Sequence, residues 1–291
     1  VIRTVSIHGL GLMGGSLGLA LKQVLGDAVT VHGYTRSVAR GEAALARGAI
    51  DVWHEDAAAS ARAAQVVVLC APICAIPDQL APLVEVLGEG AVVTDVGSTK
   101  EELQRICTGQ LAGRSAVFVG SHPIAGSEQQ GIEAARSDLY QKSVTVITPD
   151  AATPDRAVAL VRDLWTTVGS TVVATTPAEH DRLLAATSHL PHLIAGLLAL
   201  TVAGTGGRTD IGRFCGSGFR DTTRIAEGGI EIWRDILATN RSAILEALTA
   251  YRGRVDGLME LLAKNDGSGI EAVLKEAKAA RRAVIDYGNK T

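Results

Sequence analysis

In this 291-residue chain, the first residues spaced for chemistry are glycines. Gly9-Leu10-Gly11-Leu12-Met13-Gly14 follows a β-rich run and opens a helical stretch through Gly15-Ser16-Leu17. Between a strand and a helix, the first glycine of such a run makes a tight turn. The second lets the backbone approach a pyrophosphate, and the third lets the helix lie close against its strand. The helix N-terminus adds unpaired N–H groups and a partial positive charge. Gly9, Leu10, Gly11, Leu12, Met13 and Gly14 are therefore expected to cradle a dinucleotide. The end of the second strand, Gly33-Tyr34-Thr35-Arg36-Ser37, decides which one. A carboxylate there would hold a ribose 2′-hydroxyl and repel a 2′-phosphate. None is present, and Thr35, Arg36 and Ser37 can all donate to a phosphate. The spacing predicts NADP, with NAD also accommodated if Arg36 only stacks on the adenine.

Such a loop needs a sheet beneath it. Strands are predicted at 4–8, 29–34, 66–70, 91–95, 116–119, 143–148 and 170–174, alternating with helical stretches such as 14–25, 37–47, 76–86 and 100–110. Runs such as Val66-Val67-Val68-Leu69-Cys70 suit strands buried on both faces of a parallel sheet. The expectation is an α/β, Rossmann-like doubly wound domain over residues 1–175. The β signal then fades, and helical patterns follow at 178–203, 222–226, 230–262 and 270–287, broken by glycine clusters and the polar turn Lys264-Asn265-Asp266-Gly267. Residues 176–291 are thus predicted to form an all-helical domain. Its most apolar run, 190–203, is shorter than the roughly 20 residues that a membrane span needs, and is read as a buried helix. Such a helix is commonly buried against a second copy of the chain, so a homodimer is expected.

Composition narrows the function classes. Hydrophobic residues make up 47% and charged residues 20%, which suits a large core. Lys and Arg total 28 against 31 Asp and Glu, a net charge of −3, which gives no electrostatic case for nucleic acid or an acidic membrane. Four cysteines, at 70, 74, 107 and 215, are too scattered for a disulfide framework. Cys70 and Cys74 have no second Cys/His pair near them, so no metal site is expected. The chain opens on an apolar strand with no basic segment before it, so no signal peptide is expected and the cytoplasm is the predicted compartment.

Packing alone does not account for three later segments: Ser121-His122-Pro123-Ile124-Ala125-Gly126-Ser127-Glu128, Ser188-His189-Leu190-Pro191-His192, and Gly216-Ser217-Gly218-Phe219-Arg220-Asp221-Thr222-Thr223-Arg224. Together with the Gly9–Gly15 loop and Asp95-Val96-Gly97-Ser98-Thr99-Lys100, they resemble the prephenate/arogenate dehydrogenase family of tyrosine biosynthesis, with the motifs in family order. The resemblance runs from the first strand to the helices after Arg224. It implies oxidative decarboxylation of a cyclohexadienol. Hydride leaves the ring carbon bearing the hydroxyl for the nicotinamide, the ring carboxylate departs as CO2, and the ring becomes aromatic. Aromatisation supplies much of the driving force, so the protein has mainly to orient the substrate and polarise the hydroxyl.

The resemblance also assigns roles. His122 corresponds to the histidine that takes the hydroxyl hydrogen bond, and a neutral imidazole can accept that proton. Ser98 corresponds to a serine at the same hydroxyl, although Glu101 at the capping-box spacing also makes Ser98 a candidate helix cap. Arg224 corresponds to the arginine that anchors a substrate carboxylate, a group too costly to bury unpaired. His192 corresponds to a histidine that recognises the side chain in prephenate-using members, with His189 the lesser candidate. Arg220, Asp221 and Glu128 resemble a charged gate around the pocket, and Trp233 is a candidate for its wall.

Two departures from the family stand out. NAD-using relatives carry an acid at the end of the second strand, and the chain stops soon after Tyr287, so no regulatory ACT-like or chorismate mutase domain is expected. Prephenate and arogenate differ by a keto or an amino group. A donor on His192 favours prephenate, converted to 4-hydroxyphenylpyruvate; NADP use favours arogenate, converted directly to tyrosine. Prephenate is the expected substrate, with arogenate or both as alternatives. A β-hydroxyacid dehydrogenase would need a lysine on the first helix of the helical domain, and 178–203 contains none. A non-catalytic NADP sensor would be expected to lack His122, Ser98 or Arg224, and all three are present.

Overall fold

A computed structural model describes residues 2–62, 64–126, 129–205 and 211–288. Strands β1 (Thr4–His8), β2 (Thr30–Tyr34), β3 (Val52–His54), β4 (Val66–Leu69), β5 (Val92–Asp95) and β6 (Val117–Phe118) form one parallel sheet in the order β3-β2-β1-β4-β5-β6. This is the doubly wound order expected from the alternating pattern, and its topological switch lies between β1 and β4. All four residues of β4 and all four of β5 are buried, as their unbroken apolar character requires. Helices α1 (Leu12–Leu25), α2 (Val38–Ala46), α3 (Ala57–Ala61), α4 (Ile76–Leu80) and α5 (Glu101–Gln110) alternate with these strands. From α1, Leu17, Ala20 and Leu21 pack into the core with Val5, Ile7 and Val31 of the sheet. The predicted helix at 76–86 keeps only its first five residues as α-helix and tightens after Leu80, where Pro82 follows.

The last strands depart from a single sheet. Gly120–Ile124, read in the sequence only as a motif, is a strand, β7; it pairs antiparallel with β8 (Val144–Thr148), which pairs in parallel with β9 (Thr171–Ala174). The run from 116 therefore feeds two sheets, with Val119 still bonded to Val93 in the first. β3, only three residues long, carries too short a pattern to be predicted. Helix α6 (Asp155–Thr167) connects β8 to β9 and buries Trp165.

A buried polar seam joins the two sheets. Ser121 N donates to Asp95 Oδ1 at 3.0 Å, Ser121 Oγ donates to the Asp95 carbonyl, and Trp165 Nε1 donates to Ser121 Oγ at 3.0 Å. Lys100 Nζ pairs with Asp95 Oδ2 and donates to the Ser121 carbonyl. With both charges paired and bonded, the seam avoids the large penalty of an orphaned buried ion. It also fixes β7 against the end of β5.

Helix α7 (Pro177–Leu184) passes through a widened π turn, Ala185–His189, into α8 (Leu190–Gly204). Pro191 explains the widening, because it lacks an N–H and its ring crowds the carbonyl four residues back. Contrary to the buried helix expected at 190–203, only Ala195 of α8 is buried in the single chain, and Leu197 and Leu200 are 55% and 71% exposed. The helical run Pro177–Gly204 is long and apolar enough to cross a membrane by length and composition. Helices α9 (Ser217–Thr223) and α10 (Ile230–Thr239) follow, and the predicted helix 230–262 is interrupted at Asn240 before α11 (Arg241–Ala263). Cα packing divides the chain after Arg241. The second unit comprises the rest of α11 and α12 (Gly267–Gly288), with Arg254 and Glu276 3.5 Å apart within it.

Candidate active site

The glycine loop sits at the C-terminal end of β1. Gly9 has φ 106°, and a Cβ there would lie 2.5 Å from the Cys70 carbonyl oxygen at the end of β4. A Cβ on Gly14 would lie 2.0 Å from the Gly9 carbonyl oxygen, so α1 can approach its strand only with glycine at that position. Gly11 differs: a Cβ there would meet nothing within 4 Å, which leaves open space on the loop's outer side. As the N-cap of α1 it brings no side-chain hydrogen bond, and no acid stands in the first turn. The first N–H groups of α1 thus face that space, a cradle suited to a pyrophosphate. Leu10 is buried and Leu12 and Met13 pack on the core, so what these three can offer a ligand is backbone. At the end of β2, Arg36 is exposed, and Ser37 caps α2 by accepting from Arg40 N at 3.4 Å. Thr35 Oγ1 accepts from Ser37 N, and both hydroxyls keep their own hydrogens to donate.

The seam places His122 on β7, one residue beyond Ser121. Its Nδ1 lies 2.9 Å from His180 Nε2, and His180 Nδ1 lies 2.7 Å from Asp181 Oδ1. A carboxylate only accepts, so His180 Nδ1 carries the hydrogen and Nε2 is left to accept from His122 Nδ1–H. The remaining nitrogen of His122, Nε2, is thereby the lone-pair site. Burial, followed by the neighbouring His180, Lys100 and His189, holds the His122 pKa well below its ordinary value, so the ring stays neutral. His180 and Asp181 are both buried.

Ser98 stands three residues beyond β5, half-buried. The helix-cap alternative is not realised. Lys100 is the N-cap of α5, and the Asp181 carboxylate receives Lys100 N at 2.7 Å and Glu101 N at 2.9 Å. Asp181 therefore orients His180 and caps α5 at once. Asn240 donates to the Asp181 carbonyl at 2.8 Å and lies 3.2 Å from His189 Nδ1, which accounts for the helix break at 240. His189 is buried, and burial lowers its pKa to about 4, so it too is neutral.

A cavity of about 570 Å³ opens beside this corner, lined by residues including Ser188, His192, Arg224, Glu227 and Trp233. His192 stacks on Trp233 with ring centroids 3.4 Å apart and planes 11° from parallel, and His189 meets the same indole edge-on. The structure thus gathers His192, Arg224 and Trp233 into one cavity. His122 and Ser98 do not line it, and the His180–Asp181–Asn240–His189 contacts connect His122 to its wall. Arg220 and Asp221 are exposed on α9 and are not among the lining residues, and Glu128 lies outside the described residues.

Comparison with known proteins gives the family. The family profile described as prephenate dehydrogenase, nucleotide-binding domain, matches residues 17–174, and that described as prephenate dehydrogenase, dimerization domain, matches 176–276. The chain belongs to the prephenate dehydrogenase family. It is 34% identical to the cyclohexadienyl dehydrogenase of Zymomonas mobilis, over 98% of this chain and 97% of that one. Among solved structures, the prephenate dehydrogenase of A. aeolicus in complex with hydroxyphenyl propionate and NAD+ superposes with a TM-score of 0.89 at 31% identity, covering 98% of this chain and 99% of that one. The arogenate dehydrogenase of Synechocystis superposes with a TM-score of 0.87 at 30% identity, covering 97% of this chain and all of the other (100%). Members of this family are oxidoreductases, and the chain is one. Sequence reasoning missed His180, Asp181, Asn240 and Glu227. Each reads in sequence as an ordinary polar residue on a helix or turn.

Proposed function

We propose that the chain catalyses the oxidative decarboxylation of a cyclohexadienol, prephenate or arogenate, with NADP favoured over NAD, as a cytosolic homodimer. The observation that carries the reading is the hydrogen-bond line from Asp181 through His180 to His122, which leaves a neutral imidazole with its lone pair on Nε2. When bound, the dinucleotide supplies the hydride acceptor. Arg224 holds a substrate carboxylate in the cavity, Trp233 walls that cavity, and the ring extends beyond it to Ser98 and His122, which do not line it. Ser98 donates to or accepts from the ring hydroxyl, and His122 Nε2 takes the hydroxyl proton as hydride leaves the same carbon. The ring carboxylate then departs as CO2 and its bonding pair completes the aromatic ring. Gly9, Gly11 and Gly14, with the backbone of Leu10, Leu12 and Met13, hold the pyrophosphate; Thr35, Arg36 and Ser37 hold a 2′-phosphate. The dimer reading is supported by the dimerization-domain match and by the exposed leucines of α8. Initial rates with prephenate and arogenate, each with NADP and NAD, test the proposal through the absorbance of the reduced cofactor. Turnover is expected, and His122→Asn should lower kcat at least about 100-fold. No turnover in all four combinations would refute it.

A further inference from the structure

The half-buried Ser98 hydroxyl has no hydrogen-bond partner among the described residues. Its chain neighbours, by contrast, are pinned. Before it, Gly97 N donates to Asp95 Oδ2 at 2.7 Å. After it, Lys100 N donates to Asp181 Oδ1 at 2.7 Å. Between these, Thr99 is 1% exposed, and its Oγ1 lies 2.8 Å from Thr239 Oγ1. The backbone bonds belong to the seam and to the cap of α5. The Thr99 bond is of another kind, since it joins side chains 140 positions apart in the sequence and ties the loop to α10.

The direction of that bond follows from its surroundings. Thr239 Oγ1 gives its hydrogen to the Asp235 carbonyl, one turn back in α10, at 2.8 Å. A hydroxyl carries a single hydrogen, so Thr239 is left to accept and Thr99 donates. The same helix brings Trp233 to the cavity wall and ends at Asn240, whose amide serves Asp181 and His189. At 1.5 Å of rise per residue, Trp233 and Thr239 lie about 9 Å apart along its axis. One helix thus touches the cavity wall, the Ser98 loop and the contacts that lead to His122.

We propose that Thr239 is a positioning residue: by accepting from Thr99 it fixes the Ser98 hydroxyl relative to the cavity, so that an anchored substrate presents its ring hydroxyl to Ser98 and His122 together. The inference rests on the reaction proposed above. Thr239→Val keeps the side-chain shape and removes the acceptor, which frees Thr99 to turn and the loop to shift. The assay uses the full chain at saturating cofactor, with whichever of prephenate and arogenate the wild type turns over faster. There kcat should fall at least about fivefold while KM stays within about twofold, because the shift disturbs the reacting geometry and not the anchor. Thr239→Ser restores the acceptor and should recover kcat to within about twofold of wild type. A double-mutant cycle separates positioning from general loosening. In Ser98→Ala, which has no hydroxyl to misplace, Thr239→Val should lower kcat by less than about a further twofold. Thr99→Val removes the donor instead and should reproduce the loss; it carries the test if a thermal melt shows Thr239→Val to be unfolded. A valine variant within about twofold of wild-type kcat, or an equal loss with and without Ser98, overturns the inference while the reaction stands. Ser98→Ala at wild-type kcat overturns the role of the serine and this inference with it. Absence of turnover on both substrates overturns the reaction itself.

Discussion

His180 is the residue whose replacement best tests how His122, the proposed base, is held. His180→Leu keeps a buried side chain of similar size but removes the acceptor that faces His122 Nδ1 at 2.9 Å. Asp181 is not left bare, because Lys100 N and Glu101 N still bond its two oxygens at 2.7 and 2.9 Å. The change therefore falls mainly on His122. With Nδ1–H unsatisfied in a buried setting, the productive tautomer is penalised by about 1–3 kcal/mol. The ring escapes that penalty by carrying its proton on Nε2, where it can no longer accept from the substrate. At 1.36 kcal/mol per factor of ten, kcat should fall roughly 5- to 150-fold. His180 does not line the proposed substrate cavity, so KM should stay within about twofold. His180→Gln, whose Oε1 can accept the same hydrogen bond, should recover much of the loss.

The assay is the initial rate of cofactor reduction across substrate concentration, with a thermal melt to show that the variant is folded. A kcat within about twofold of wild type, or a loss carried by KM instead, would refute the tautomer argument. The pH profile of the wild type provides a companion test. In the proposed reaction the reacting form is neutral His122, and its pKa is pushed down, first by burial. Activity is thus lost only as the pH falls through a value below the ordinary imidazole pKa of about 6.5, and kcat/KM should already be level there. An acid limb centred above pH 7 would contradict the assignment.

Two further outcomes follow from other parts of the molecule. Arg36→Ala should raise KM for NADP about tenfold and KM for NAD less than about threefold, because only the former offers a phosphate to the guanidinium; equal losses would mean that Arg36 stacks on the adenine common to both. Trp165→Ala should destabilise the protein by about 3–5 kcal/mol in urea unfolding, since the indole is fully buried and donates to Ser121 beside His122. A cost under about 1 kcal/mol would show that the seam between the sheets does not depend on it.

Much of the fold was legible because parallel strands buried on both faces leave unbroken runs such as Val66-Val67-Val68-Leu69, and because Gly9 and Gly14 stand where backbone contacts exclude any side chain. The second sheet was less so. Gly120–Ile124 contains a proline and a histidine and gains its partner β8 only across some twenty residues of chain, so no local period announces it. The helix breaks at 185–189 and 240 likewise answer to tertiary demands. Pro191 was visible as a residue, but the π turn it induces ahead of it was not, and Asn240 ends α10 while its amide serves Asp181 and His189.

The corner around His122 shows why motif spacing reaches only part of a candidate site. His122 and Ser98 lie in segments with a recognisable pattern, whereas the groups that set the proton on His122 come from a helix 58 residues later in the chain. Glu179-His180-Asp181-Arg182 reads as the solvated face of an amphipathic helix, and Glu179 and Arg182 do pair with each other in solvent. One turn position separates that surface pair from the buried His180 and Asp181. Burial turns the same residue types from solvating charges into a fixed hydrogen-bond line, because in a dry setting each donor must be matched and the matching determines which nitrogen keeps its lone pair. The direction of that line is a property of the three-dimensional partners, from the α5 N-terminus that holds Asp181 to the β7 strand that presents His122.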